Sequence, residues 1–197
     1  MSFLIHWRIN VGFLNKVSSW VYRVANWPLL AAAALIFIFF TVLILPGMAG
    51  NLADLTGVEI SPDTSILYSA DDLYAMAEAY GSEGRGYYIY SRYTFDVAWP
   101  LVYLLFLATS ISYLFRSLPV TKTPWRLINL LPLAGAVLDL LENNAASLVM
   151  YRYPLPTPIV AHLAPVFTFL KWIVIGFCFI ALAGGILLRV QQYLKNK

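Results

Sequence analysis

Two carboxylates and two amides interrupt an otherwise apolar stretch, AVLDLLENNAASLVM, at residues 136–150. Asp139 and Glu142 are three residues apart, so a helix would place both carboxylates on one face. A charge near the centre of a bilayer costs at least about 2.5–3.5 kcal/mol, and such charges are normally paired or functional. The stretch therefore predicts either buried ion pairs or a site for acid–base chemistry.

A lysine from a later apolar run supplies the opposite charge. With about 1.5 Å of rise per residue, counted from the outer ends of the two runs, Asp139 and Lys171 both lie roughly 17 Å deep. Glu142 lies about one helical turn closer to the surface. We therefore expect Lys171 to meet both carboxylates.

A second polar stripe is predicted in GRGYYIYSRYTFDVAWPLVYLLF, residues 84–106. Its members recur at steps of three and four, the spacing of neighbours on one helix face. Together with Asp139, Glu142 and Lys171, the stripe makes three acids and three bases in the outer half of the protein. Its two arginines could grip a phosphate or carboxylate head group. The residues of the stripe are Arg85, Tyr88, Arg92, Asp96, Trp99 and Tyr103.

These two stripes predict an outward-opening polar site inside the membrane. It would bind a lipid-like or isoprenoid-like ligand and could process it by acid–base chemistry; whether the protein is an enzyme stays open. The predicted catalytic residues are Glu142, Asp139, Lys171 and Asp96, and the predicted ligand-binding residues are Arg85, Arg92, Tyr88, Trp99, Tyr103 and Asn143.

The alternative is that the buried charges only hold helices together. Asn143 and Asn144 would then be interhelical hydrogen-bonding groups, and the chain would be a non-catalytic accessory or assembly subunit of a larger membrane complex. A metal held by the acids and His162 is a weaker alternative, since Glu-x-x-His spacing is missing and Lys171 competes for the carboxylates. We expect no metal and no cofactor.

Composition defines the class of protein. Of 197 residues, 60% are hydrophobic and 12% are charged. A soluble domain keeps about a quarter of its residues charged, so this chain is predicted to be an integral membrane protein. Nine of its thirteen basic residues lie in three short segments without acids, as the positive-inside rule describes, which argues against a nucleic-acid partner. They are Arg8, Lys16, Arg23, Arg116, Lys122, Arg126, Arg189, Lys195 and Lys197.

The predicted fold is an all-α bundle of four membrane spans with both termini in the cytoplasm. The spans cover about 28–46, 94–115, 125–151 and 160–188, and an outer loop covers 47–93. Residues 1–27, basic and aromatic, are predicted to form an interfacial amphipathic helix. Residues 28–197 would form a single domain. Expected partners are membrane lipids, other membrane subunits or a second copy of the chain.

The outer loop is predicted to contain one short helix, SADDLYAMAEAYG at residues 69–81. Ser69 can cap its first turn, and Gly81 can end it in a left-handed conformation. Two acids follow Ser69, at the positive end of the helix dipole. The loop carries seven acids in all: Asp54, Glu59, Asp63, Asp71, Asp72, Glu78 and Glu83.

Overall fold

The computed structural model of the protein describes residues 2–58, 60–62, 65–116 and 125–196; for residues 2–11 and 49 it describes the backbone only. The acids Glu59 and Asp63, the basic residues Lys122 and Lys197 and the side chain of Arg8 lie outside this part of the chain.

All regular structure in the described ranges is helical. Eight α-helices are joined by short connections, a π-helical turn at Phe40–Ile44 and a 3-10 helix at Trp125–Leu130. The α-helices are α1 Ser2–Val24, α2 Trp27–Phe39, α3 Leu45–Thr56, α4 Ala70–Ala79, α5 Gly81–Tyr93, α6 Phe95–Phe115, α7 Leu131–Arg152 and α8 Pro158–Lys195.

Three helical stretches are long and apolar enough to cross a membrane: Trp27–Thr56, Gly81–Phe115 and Pro158–Lys195. The chain is therefore compatible with an integral membrane protein. The first two reach much further into the predicted loop 47–93 than the sequence suggested, and most of that loop is helical. Prolines and glycines had been given too much weight as helix ends, because tertiary packing overrides such local preferences.

The π-helical turn explains how the first stretch passes Pro46 without ending. Proline has no backbone N–H and crowds the carbonyl four residues earlier. Widening of the preceding turn absorbs this conflict, and the amide of Leu45 donates to the carbonyl of Phe40, five residues back. The helix then continues as α3.

Close packing explains why Gly84 does not break α5. A Cβ at this position would collide with the Thr56 side chain, so the glycine lets α5 approach α3. Gly185 serves α8 in the same way, because a Cβ there would lie 2.8 Å from the Phe115 ring. The small pair Ala181 and Gly185 therefore packs within the chain, against the end of α6.

Helices α6, α7 and α8 pack together, and α2 packs on α6. A buried apolar group built around Leu107, Ile111, Ala136 and Cys178 joins the three. Helix α4 rests on α7 and α8 at the other end of the bundle.

Helix α4 begins with a reciprocal cap. The Ser69 hydroxyl accepts a hydrogen bond from the Asp72 amide, 3.1 Å away, and the Asp72 carboxylate accepts one from the Ser69 amide, 2.8 Å away. The Ser69 hydroxyl also donates to the Asp72 carboxylate at 2.7 Å, and the hydrogen bonds donated by the Ser69 amide and, second, by this hydroxyl lower the pKa of Asp72. Gly81, with a φ of 62°, separates α4 from α5 in the left-handed region.

Helix α1 is attached to the bundle by a group of neutral polar residues, Ser18, Ser112 and Asn129, here called the amide cluster. The Ser18 hydroxyl lies 2.9 Å from both Asn129 Oδ1 and the Arg126 carbonyl. The Asn129 side chain donates to the Ser18 carbonyl at 3.1 Å and to the Ser112 hydroxyl at 3.0 Å. All three cluster residues are fully buried.

Candidate functional site

Lys171 lies between two carboxylates of α7. Its Nζ is 3.3 Å from Asp139 Oδ1 and also contacts Glu142 Oε2. All three side chains are buried, and Glu142 is only 1% exposed. The predicted meeting of Lys171 with both acids is therefore confirmed. Charges removed from water to this degree are stable only when opposite charges contact them.

The spacing of residues on α7 creates this geometry. A step of three brings Asp139 and Glu142 onto the face that packs on α8, where Lys171 lies opposite. Helix α6 adds a third partner, because the Tyr103 hydroxyl donates to Asp139 Oδ2 at 3.0 Å. Three helices thus converge on the Asp139 carboxylate.

A second ion pair spans the break between α5 and α6. Arg92 Nη1 lies 3.0 Å from Asp96 Oδ2, and the guanidinium lies 4.4 Å from the centre of the Tyr88 ring. Arg92, Asp96, Asp139, Glu142 and Lys171 are here called the charged cluster.

Asn143 connects the two ion-paired groups. Pro100 cannot donate to the carbonyl of Asp96, four residues earlier, so that carbonyl needs another partner. The Asn143 side-chain amide donates to it at 3.2 Å. The proline within α6 thus creates the acceptor that holds α7 beside the Arg92–Asp96 pair.

A cavity of about 240 Å³ adjoins the charged cluster. Its wall contains five of the ten predicted site residues: Arg92, Asp96, Trp99, Asp139 and Lys171.

Four other predicted residues, Tyr88, Tyr103, Glu142 and Asn143, contact wall residues without belonging to the wall. Glu142 touches Lys171 and Asn143 touches Asp96, so both hold wall residues in position. Tyr103 also packs edge-on against Trp99, with ring centres 5.8 Å apart.

Arg85, which the sequence predicted to bind the ligand, does not belong to the wall of this cavity. Arg85 Nη1 donates to the Ala77 carbonyl at 2.8 Å, and the guanidinium lies 4.9 Å from the centre of the Tyr153 ring. Ala77 lies in the last turn of α4, where carbonyls lack partners within their own helix. The side chain therefore caps α4 instead of facing the cavity.

The remaining wall is mostly apolar and comes partly from helices that the sequence left out of the site. Phe95 and Trp172 flank the predicted residues Asp96 and Lys171, and this adjacency was a usable signal. The α3 residues gave none, because Leu45 lay in a featureless apolar span and the rest of α3 was assigned to the outer loop. Those wall residues are Leu45, Met48 and Leu52.

His162 lies apart from the charged cluster. It is exposed, and its Nδ1 lies 2.7 Å from the Pro158 carbonyl on its own helix. The side chains that the structure describes include no group of three or more metal-binding residue types arranged around one point. His162 therefore does not join the acids in the metal site that was considered as an alternative.

The two carboxylates and Lys171 in this wall can exchange protons with a bound molecule, whereas the permanently charged Arg92 can only pair with its charges. Apolar residues Leu107, Ala136 and Cys178 lie along the bundle between this wall and the amide cluster. The cavity is thus separated from the α1 end by packed side chains. Comparisons with protein-family models, curated proteins and solved structures gave no match.

Proposed function

We propose that this chain is a four-span integral membrane protein with an intramembrane site for a lipid-like or isoprenoid-like ligand. The spans would be α2–α3, α5–α6, α7 and α8. Helix α7 has 22 residues, about 33 Å of rise, which suits a hydrocarbon core of about 30 Å. Its two acids, Asp139 and Glu142, are tolerable there because Lys171 contacts both of them.

The orientation follows from where basic side chains gather. Arg126 donates to Ser19 of α1, Arg116 donates to the Ala25 carbonyl, and Arg189 donates to carbonyls at the end of α6. This end of the bundle would face the cytoplasm under the positive-inside rule, with α1 at the membrane interface. The cavity and α4 would then lie toward the opposite side.

One observation carries the proposed site: the wall of a cavity holds Asp139 and Lys171, two buried and opposite charges in contact. Buried ion pairs rarely add stability compared with apolar packing, so a pair kept beside a cavity suggests a ligand. Asp139 would accept a proton from the ligand and Lys171 would return one. Glu142 would hold Lys171, and Asp96 would add a second carboxylate to the wall.

The arrangement of helices supports a ligand that arrives from the lipid. Helix α3 packs against α5 but makes no comparable packing with α8. The cavity occupies this gap, with Leu45 and Met48 on one side and Trp172 and Ile175 on the other. An apolar chain could extend between α3 and α8 while its head group meets the charges.

A cavity-filling substitution tests this proposal without changing any charge. Leu45→Trp adds bulk to the wall, whereas Val42→Trp places the same residue at an exposed position on the same helical stretch. Both variants and the wild type would be purified in mild detergent, and their bound lipids identified by mass spectrometry. We expect Leu45→Trp alone to lose a specific co-purifying molecule. Identical bound lipids in all three proteins would refute the site.

The second candidate is a non-catalytic subunit, and one observation favours it. Each side chain of the charged cluster contacts a partner of opposite charge, as expected of structural ion pairs. A partner subunit or second copy could use α1, whose Phe13 and Trp20 are exposed. Phe13→Ser with Trp20→Ser would then release a co-purifying protein, and Leu45→Trp would leave that protein bound.

A further inference from the structure

The charged cluster contains more acid than base. Asp96 and Asp139 in the cavity wall are balanced by Arg92 and Lys171 in the same wall. Glu142 contacts Lys171 from outside the wall. With it, the cluster has three carboxylates and two basic groups. Lys171 thus divides its one charge between two acids. A buried excess of negative charge is stabilised either by a proton or by a bound cation.

The two arginines that were predicted to grip an anion both make other contacts. Arg85 caps α4 and is not part of the cavity wall. Arg92 pairs with Asp96 and lies over the Tyr88 ring. A phosphate in this cavity would have to break that pair and approach the carboxylate majority.

Resting on the proposed function, we infer that the ligand of this cavity has a positively charged ammonium head group on an apolar chain. The head group would lie beside Asp96 and Asp139 and restore charge balance.

The aromatic part of the wall supports this head group. Trp99 and Trp172 belong to the wall, together with Phe95 and Tyr87. Aromatic faces attract ammonium groups through the ring quadrupole, and Trp does so most strongly. An anion gains nothing from the same faces. Carboxylates combined with several aromatic rings therefore match an ammonium ion better than a phosphate.

The part of the chain that contributes three of the wall residues is also rich in acids. Leu52, Val58 and Ser61 of the wall lie in the same part of the chain as five exposed acids. Within residues 52–88, Arg85 is the single basic residue of the sequence. A surface of one sign raises the local concentration of ions of the opposite sign. The five acids are Asp54, Asp71, Asp72, Glu78 and Glu83.

The size of the cavity limits what it holds. About 240 Å³ is below the roughly 300–1,000 Å³ typical of sites that enclose a whole small molecule. The cavity would enclose the head group and the first carbons of the chain. The rest of the chain would lie in the gap between α3 and α8.

Binding of matched probes tests the inference. The full chain in nanodiscs of zwitterionic lipid would be titrated with hexyltrimethylammonium, hexyl phosphate, hexanol and tetramethylammonium by calorimetry. We expect hexyltrimethylammonium to bind at least tenfold more tightly than hexyl phosphate or hexanol. Tetramethylammonium, lacking a chain, should bind at least tenfold more weakly than hexyltrimethylammonium; equal affinity would overturn the lipid part of the inference.

Variants localise the binding. Asp96→Asn and Trp172→Leu should each weaken hexyltrimethylammonium binding at least fivefold, and Glu78→Gln, an exposed charge loss, less than twofold. Trp172 is half-exposed, so its variant should fold even if Asp96→Asn does not. Equal or tighter binding of hexyl phosphate would overturn the inference and leave the site intact. Binding of no probe would overturn the inference and assign a proton to the excess charge, while the Leu45→Trp comparison still judges the site separately.

Discussion

The amide cluster joins three helices and the charged cluster joins four, in both cases through buried polar groups but by different chemistry. In the amide cluster, neutral Ser18, Ser112 and Asn129 satisfy one another within 3.1 Å. In the charged cluster, ionised side chains meet beside a cavity of about 240 Å³. None of the amide-cluster residues belongs to that cavity wall.

The difference indicates what each cluster is for. Neutral hydrogen bonds fix helices at a small desolvation cost, so the amide cluster is sufficiently explained by attachment of α1. Ionised groups cost far more to bury and often stabilise less than apolar residues of similar size. Joining helices is thus a weaker reason for the charges than for the amides, and the binding role proposed above would supply another.

The largest expected effect comes from Lys171→Met. It leaves the carboxylates of Asp139 and Glu142 buried without their cation, which should lower the free energy of unfolding by about 3–5 kcal/mol. Denaturant unfolding in detergent measures this. The triple variant Asp139→Asn, Glu142→Gln, Lys171→Met should recover most of the stability but none of the ligand binding. If the triple variant still bound the ligand, the charged cluster would, like the amide cluster, only hold helices together.

Asn129→Leu tests the other cluster. It removes the hydrogen bonds of Asn129 with the Ser18 and Ser112 hydroxyls and with the Ser18 carbonyl, and should cost about 2 kcal/mol. We expect faster proteolysis at the connection between α1 and α2 and unchanged binding to the cavity. Altered binding would mean that the apolar layer around Leu107 transmits changes between the clusters.

Arg189→Lys tests geometry at constant charge. The guanidinium donates to the carbonyls of Leu114 and Tyr113 at 2.9 Å each, and an ammonium group cannot reproduce this fork. The expected loss is about 1 kcal/mol of unfolding free energy. Arg189→Met removes both the fork and the charge, and a loss similar to that of Arg189→Lys would support the role of shape. A much larger loss in Arg189→Met than in Arg189→Lys would show that the charge matters more than the shape.

The smallest expected effect concerns the exposed cap of α4. Because the pKa of Asp72 is lowered in the folded protein, its contribution is complete above the ordinary pKa of the carboxyl group. The contribution is lost as the pH falls through the lowered value. Asp72→Asn should therefore be less stable than the wild type near neutral pH and differ less in acid, as unfolding at several pH values would reveal.

The count of residue depths and the helical spacing predicted the contact between Lys171 and the α7 acids. This worked because a charged side chain in an apolar helix is normally paired with an opposite charge. The same spacing failed for Arg85, since a long side chain can turn toward a helix end that the pattern does not locate. Leu45 could not be distinguished from lipid-facing neighbours, because both environments select the same residue types, and Met48 was assigned to the outer loop. The wider membrane arrangement and the function stay predictions.

The π-helical turn sets the direction in which α3 faces. Phe40 stacks on Trp99 of the cavity wall, and Leu45, the first wall residue of α3, follows after a step of five. Each added residue rotates the rest of a helix by about 100°. Met48 and Leu52 thus face the cavity because the π-helical turn before them contains one residue more than a regular α-helical turn. Deleting Val42 would let the turn revert to regular α-helix and swing that whole wall away from the charges without altering a single wall side chain.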